Sequence, residues 1–315
     1  MNYGEIIKSA WQATWRYRAM WLLGMAVLGG CNYGSLVRVP IESWSDSSTS
    51  TNSTDYNTQQ IQDALQDLVQ QYWVLVVLLI ICLILLVIVA YVCHYIAVGG
   101  LYQGAAWAKQ GQPVKFGAMC KAGTQAFWRV FGATLCIGLC IAIPMAFYIG
   151  IAVVLAITLV GLIVAIPMLI LLVVASLPLG WAMFSILSFS IQGIVLEELT
   201  IISAIKQAWK LWRAHLKDTA LIYAATLLWN LLVGIVLLFF VGLVAVPLVL
   251  FGYFAYSSQA WLALGLVILI GLLLILVISI ILKGISQSFI AHLWHRLYAG
   301  IAQRRDSSAG RATVL

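Results

Sequence analysis

Long apolar runs alternate along the chain with short segments in which charges and aromatic rings share a helical period. Residues 3–17 show that period first. At about 100° per residue, Tyr3, Ile6, Ile7, Ala10, Trp11 and Thr14 fall on one side, and Glu5, Lys8, Ser9, Gln12 and Arg16 on the other. Trp15 stands at the border, where an indole suits the headgroup level of a bilayer. The pattern predicts an amphipathic helix lying on a membrane. The apolar run over residues 19–30 then predicts a first span. Its end, Leu28-Gly29-Gly30-Cys31, read alone resembles a lipoprotein cleavage site.

Residues 33–71 form the one long polar segment. Its middle, rich in Asp, Ser, Thr and Asn, has no apolar residues to bury and predicts disorder. From Gln59 a helical stripe of Ile61, Ala64, Leu65 and Leu68 leads into a second span over residues 72–95. A polar connector over 109–115 follows. Between Val130 and Leu196 there is no charged residue. That run is too long for one span and too short for four. Basic flanks on the same side require an even number of crossings, hence two. Pro144, Pro167 and Pro178 predict kinks or breaks there. Thr200 reads as the N-cap of a helix with Lys206, Lys210, Arg213 and Lys217 on one face and Ile201, Ile205, Ala208, Trp209 and Trp212 on the other. Residues 219–282 again predict two spans, turning over 253–259, before a basic tail at 304–315.

The amphipathic segments are versions of one another. Lys8…Gln12-Ala13-Thr-Trp15-Arg16 recurs without a gap as Lys121…Gln125-Ala126-Phe-Trp128-Arg129, and more loosely as Lys206-Gln207-Ala208-Trp209…Trp212-Arg213. The expected fold is all-α and integral to the membrane. It has six transmembrane helices arranged as three parallel repeats, each an interfacial amphipathic helix plus a two-span hairpin. The units run over about 1–107, 108–198 and 199–303. The internal copies place the N-terminal segment within the fold, which sets the lipoprotein reading aside.

Composition agrees: 63% of residues are hydrophobic and 9% charged, against about a quarter charged in soluble domains. The net charge of +7 matters through its placement. Of 17 Lys and Arg residues, Arg38 alone falls in the predicted outer segments, which carry Glu42, Asp46, Asp55, Asp63 and Asp67. This bias predicts both termini in the cytosol, in a prokaryotic inner membrane.

Four stretches carry a family likeness: Gly4…Ala10-Trp11…Trp15-Arg16; Ile96-Ala-Val-Gly99-Gly100-Leu101; Phe116-Gly117…Trp128-Arg129; and Val195-Leu-Glu197-Glu198…Ala204…Ala208-Trp209. In them the chain resembles prokaryotic polytopic membrane proteins of unknown function, related to the membrane domain that precedes the catalytic domain in some bacterial glycerophosphodiester phosphodiesterases. The likeness covers nearly the whole chain and implies a membrane module without an activity. With the chain ending soon after the sixth span, no phosphodiesterase domain is expected.

No Walker loop, dinucleotide fingerprint, nucleophile elbow or zinc-protease helix is present in the sequence. Gly99-Gly100 reads as close helix packing, and Cys136 and Cys140, one turn apart, as packing thiols. The expected lipid-headgroup or interface residues are Lys8, Trp15, Arg16, Lys121, Trp128, Arg129, Lys206, Trp209, Lys210, Trp212 and Arg213. A second, weaker constellation is His94, Glu197, Glu198, His292 and His295, at the inner ends of spans two, four and six. These side chains are expected to be dispersed and interface-exposed, with no metal or cofactor. The function expected is that of a non-enzymatic multi-pass protein meeting membrane lipids, anionic ones included, or a membrane-protein partner at the inner leaflet, with no nucleic acid. A small-molecule transporter or channel is the alternative, and an intramembrane enzyme the third reading.

Overall fold

The computed structural model describes residues 3–27, 73–156, 159–257 and 261–312. Among them every regular element is a helix. These are α1 (Tyr3–Arg16), α2 (Ala19–Ala26), α3 (Trp73–Lys109), α4 (Phe116–Ala156), α5 (Leu159–Leu196), α6 (Ile201–Ala214), α7 (Leu216–Ser257) and α8 (Trp261–Ala312). Five of them, α3, α4, α5, α7 and α8, are long and apolar enough to cross a membrane, and by this composition the chain is a multi-pass membrane protein. The expected first span ends outside the described residues. So do the polar loop, the helix expected after Gln59, and part of the 253–259 turn.

The chain divides into two compact units, Ser35–Val92 and the remainder. In the first, the described part of α3 is apolar on every side, and Leu78, Leu79 and Leu86 are each more than 60% exposed. In the second, each long helix changes character part-way. Up to Gly180 α5 shows Ile163, Leu171 and Leu177 on its surface, whereas from Met183 to Ile194 nearly every side chain is buried. α8 switches at Lys283–Gly284, α7 at about Leu227 and α4 at about Ile137. The packed half is always the one next to the Lys/Arg-rich segments, called the basic end below. Its core holds Trp294, Phe189, Met20, Met119, Ile222 and Leu297.

Glycines set how closely the basic ends approach. A Cβ on Gly100 would lie 2.6 Å from Leu23 Cδ2 and 2.7 Å from the Met119 carbonyl oxygen, and one on Gly123 would collide with the Ile96 carbonyl. Gly99-Gly100 is thus a backbone crossing of α3 with α4. Gly24 and Gly284 make the corresponding crossing of α2 with α8.

The amphipathic segments dock by small residues. The equivalent Ala13 and Ala126 are both buried, at 8% and 5% exposure, and so is Ala208 of α6 at 1%. On the apolar side of α1, Ile7 and Trp11 are exposed while Ala10 and Thr14 are buried. Ala10, Ala13 and Thr14 can approach a neighbouring backbone more closely, and they take the contact. α6 does not lie across the end of α5 but runs back along it. Its start packs at Gly193, where a Cβ would be 3.2 Å from Leu199 Cδ1, and Trp212 near its end meets Trp181.

In the middle copy the expected separate amphipathic helix is absent, because α4 continues unbroken through Trp128-Arg129. The other copies have local stops that this one lacks. His215 N–H donates to the carbonyls of Leu211 and Trp212, and the His215 ring sits 3.3 Å from Asp218. In the first copy Trp21 Nε1 donates to the Thr14 carbonyl. After Arg129 come Val130 and Ala133, both fully buried, so continued helix is the way to bury them. Pro144, Pro167 and Pro178 likewise sit inside α4 and α5 without ending either helix. Thr200 holds the N-cap position of α6, but its hydroxyl pairs with Ser203 Oγ and caps no backbone N–H.

Candidate membrane-interface site

Aromatic rings collect where the packed half of each helix gives way to the exposed half. Beside α1, Trp11 stacks edge-on against Trp15 and Trp229 (5.5 Å each), Trp15 meets Trp21 at 5.0 Å, and Trp229 meets Phe289 at 4.5 Å. On α4, Phe127 and Phe131 pack against Tyr95 of α3, and Trp128 packs edge-on against both of them. On α6, Trp209 and Trp212 pack at 5.3 Å, and Trp212 touches Trp181 of α5 at 5.5 Å. In each cluster an amphipathic segment meets the last helix before it in the repeat order: α4 on α3, α6 on α5, and α1 on α8.

Of the expected interface residues, Trp15, Trp128, Trp209 and Trp212 belong to these clusters. Lys8, Trp15, Arg16, Lys121, Trp128, Lys206, Trp209, Lys210 and Arg213 are exposed, and Trp128 is the most open of these three tryptophans at 75%. The Arg213 guanidinium lies 4.7 Å over the Trp209 ring, which holds a cation beside an indole face. Two more of them make contacts within the fold. Arg129, half-buried, donates to the Glu198 carbonyl at 3.1 Å, and Trp212 is half-buried against Trp181. The rings missed from sequence are Trp181, Trp229, Trp21 and Tyr95. Trp21 and Tyr95 stand near the ends of apolar runs, a signal the sequence offers, whereas Trp181 and Trp229 lie well inside theirs, where it marks no boundary.

Next to α6 lies a groove of about 250 Å³ between α4, α5 and α6. Cys136, Cys140, Leu179, Met183, Ile205 and Trp209 are among its walls, all of them apolar at the surface they present. Along α6, Lys206, Lys210 and Arg213 are exposed, and the helix has no Asp or Glu.

The second constellation separates. His94, His292 and His295 are buried, at 4%, 2% and 5% exposure, which corrects the expectation of interface-exposed histidines. The helical stripe Ser288, His292, His295 lies on the packed side of α8, where the core encloses it. Glu197 and Glu198 are exposed. The Glu197 carboxylate accepts from Tyr298 of α8 and, at 3.0 Å, from Gln207 of α6, so it ties three helices together at their basic ends. Among the described residues no three His, Cys, Asp or Glu side chains are grouped to hold a metal ion. His292 Nε2, His295 Nδ1, Ser190 Oγ, Ser288 Oγ and Gln192 Oε1 are buried without a hydrogen-bond partner among the described residues.

No family model matches the chain, and neither a curated protein nor a solved structure proves similar to it.

Proposed function

We propose that the chain is a non-enzymatic membrane protein that engages anionic lipid at the inner leaflet, with six spans in three parallel units and both termini in the cytosol. One observation carries the reading. The exposed apolar part of each long helix is roughly twenty to thirty residues, enough at about 1.5 Å per residue to cross a hydrocarbon layer of about 30 Å, and the aromatic clusters stand where it stops. Tryptophan is favoured at such a boundary, and the exposed cations beside it suit negatively charged headgroups. The order of contacts, α4 on α3, α6 on α5 and α1 on α8, is that of three units closing a ring. Kinship with the membrane module of bacterial glycerophosphodiester phosphodiesterases is part of the same proposal and rests on the residues quoted above.

The test is the charge on α6. Replacing Lys206, Lys210 and Arg213 together with Gln should lower the preference of the reconstituted protein for anionic over zwitterionic vesicles at least about tenfold, since each charge near such a surface contributes about 1 kcal/mol. Unchanged preference would remove the headgroup role.

Transport ranks second, supported by the buried polar groups of α5 and α8. The cavity between α3, α5 and α8, lined by Tyr102, Ser188 and Gln287, measures about 30 Å³, the room of a water molecule.

A further inference from the structure

We infer that the groove between α4, α5 and α6 seats one acyl chain of an anionic diacyl phospholipid, with the phosphate held outside it by Lys206, Lys210 and Arg213. The inference rests on the lipid-binding reading above and adds a defined place to it. Three features select this occupant. The walls offer no polar surface, so neither a free phosphate nor a sugar gains anything inside. At about 250 Å³ the volume suits a length of hydrocarbon chain, and burying each methylene there is favourable by the usual transfer term. The charge lies at the edge and is of one sign. Ile205 and Trp209 line the groove while Lys206 and Lys210, each the next residue in the helix, are exposed, and Arg213 is stacked on the Trp209 ring. A neutral chain and a negative headgroup joined by a short glycerol linker match that order of surfaces.

Cys140 and Ala182 mark the groove from two sides, Cys140 exposed on α4 and Ala182 half-buried on α5. The experiment uses the full-length protein in phosphatidylcholine vesicles doped with phosphatidylglycerol carrying a diazirine near the end of one chain. Photolysis followed by peptide mapping is expected to concentrate the label on residues 136–141, 179–186 and 205–209. The matching phosphatidylcholine probe should label the same peptides several-fold less. Ala182→Trp fills the groove and should abolish that label. Cys140→Trp, at a solvent- or lipid-facing position that folding tolerates, repeats the block independently.

Label spread evenly over the exposed halves of α3, α5, α7 and α8 would overturn the groove. If it did so while the Lys206/Lys210/Arg213→Gln variant still lost its anionic preference, the lipid reading would stand and the seat alone would fall. Groove labelling equal for both probes, and unaffected by those three substitutions, would instead overturn the anionic selectivity on which the inference rests.

Discussion

Glu198 has φ +53°, a left-handed conformation that side chains with a Cβ adopt at a cost. The turn from α5 to α6 demands it. Glu197 N–H and Leu199 N–H both reach back to the Gly193 carbonyl, at 3.1 and 3.3 Å, which ends α5 within one turn. The Glu198 carbonyl then accepts from Arg129, a bond that needs no particular side chain at 198. Glu198→Gly should therefore raise stability by about 0.5–1 kcal/mol, while Glu198→Ala should give no gain. Thermal unfolding of the two variants in detergent separates them, and equal gains would show that strain is not the cause. The buried histidines allow a second comparison of signs. If His292 and His295 only fill space, their unpartnered ring nitrogens are a cost, and His292→Leu should leave stability unchanged or higher. A loss of more than about 2 kcal/mol would mean that the ring has a partner the core was built to hold.

The elements divide into those that sequence periodicity reveals and those that depend on neighbours. Charge-free runs bounded by basic segments were enough to place α4, α5, α7 and α8 as two hairpins, since nothing else accommodates so many apolar residues. The amphipathic period likewise located α1 and α6. The faces were less legible. Ile7 and Trp11 are more apolar than Ala10 and Ala13, yet the alanines are the buried ones, because helix contact here is limited by backbone approach and not by hydrophobicity. The unbroken α4 was hidden for a similar reason: the stops at Tyr17–Arg18 and His215 depend on individual hydrogen bonds. The same argument fixes what glycine substitution does. Gly24→Ala and Gly123→Ala place a methyl against a backbone carbonyl of a crossing helix, and each should destabilise by about 1–3 kcal/mol. Gly138→Ala and Gly234→Ala meet nothing within 4 Å and should be neutral or gain up to about 1 kcal/mol from helix propensity. Ranking the four by unfolding midpoint tests the crossings, and the idea fails if the two pairs cannot be told apart.

At the scale of the molecule, apolar composition alone could not say where the bilayer ends. The same Leu, Ile and Val serve exposed surface in one half of α7 and protein core at Ile222. Burial separates the two uses, and it accounts for the polar side chains that sequence left unexplained. Ser185, Ser188, Ser190, Gln192, Ser288, His292 and His295 all belong to the packed halves. In the proposed arrangement those halves form a helical layer under the inner leaflet, where buried hydroxyls and imidazoles cost less than in hydrocarbon. α7 tests this most directly, because it is exposed on both sides of the change: Leu216 and Leu221 before it, Leu228, Leu231 and Leu232 after it. Single cysteines at these positions, in a background without the native thiols, should react with a charged maleimide in inside-out vesicles at 216 and 221 and not at 228, 231 or 232. If the packed halves were embedded instead, protection would begin directly after Lys217 and Leu221→Cys would be silent. The same vesicles settle direction. Ser307→Cys should label from the inner face, and Ser48→Cys only in right-side-out preparations. With that pair reversed, the three units would enter from the opposite side, and the cations of α6 would face the outer leaflet.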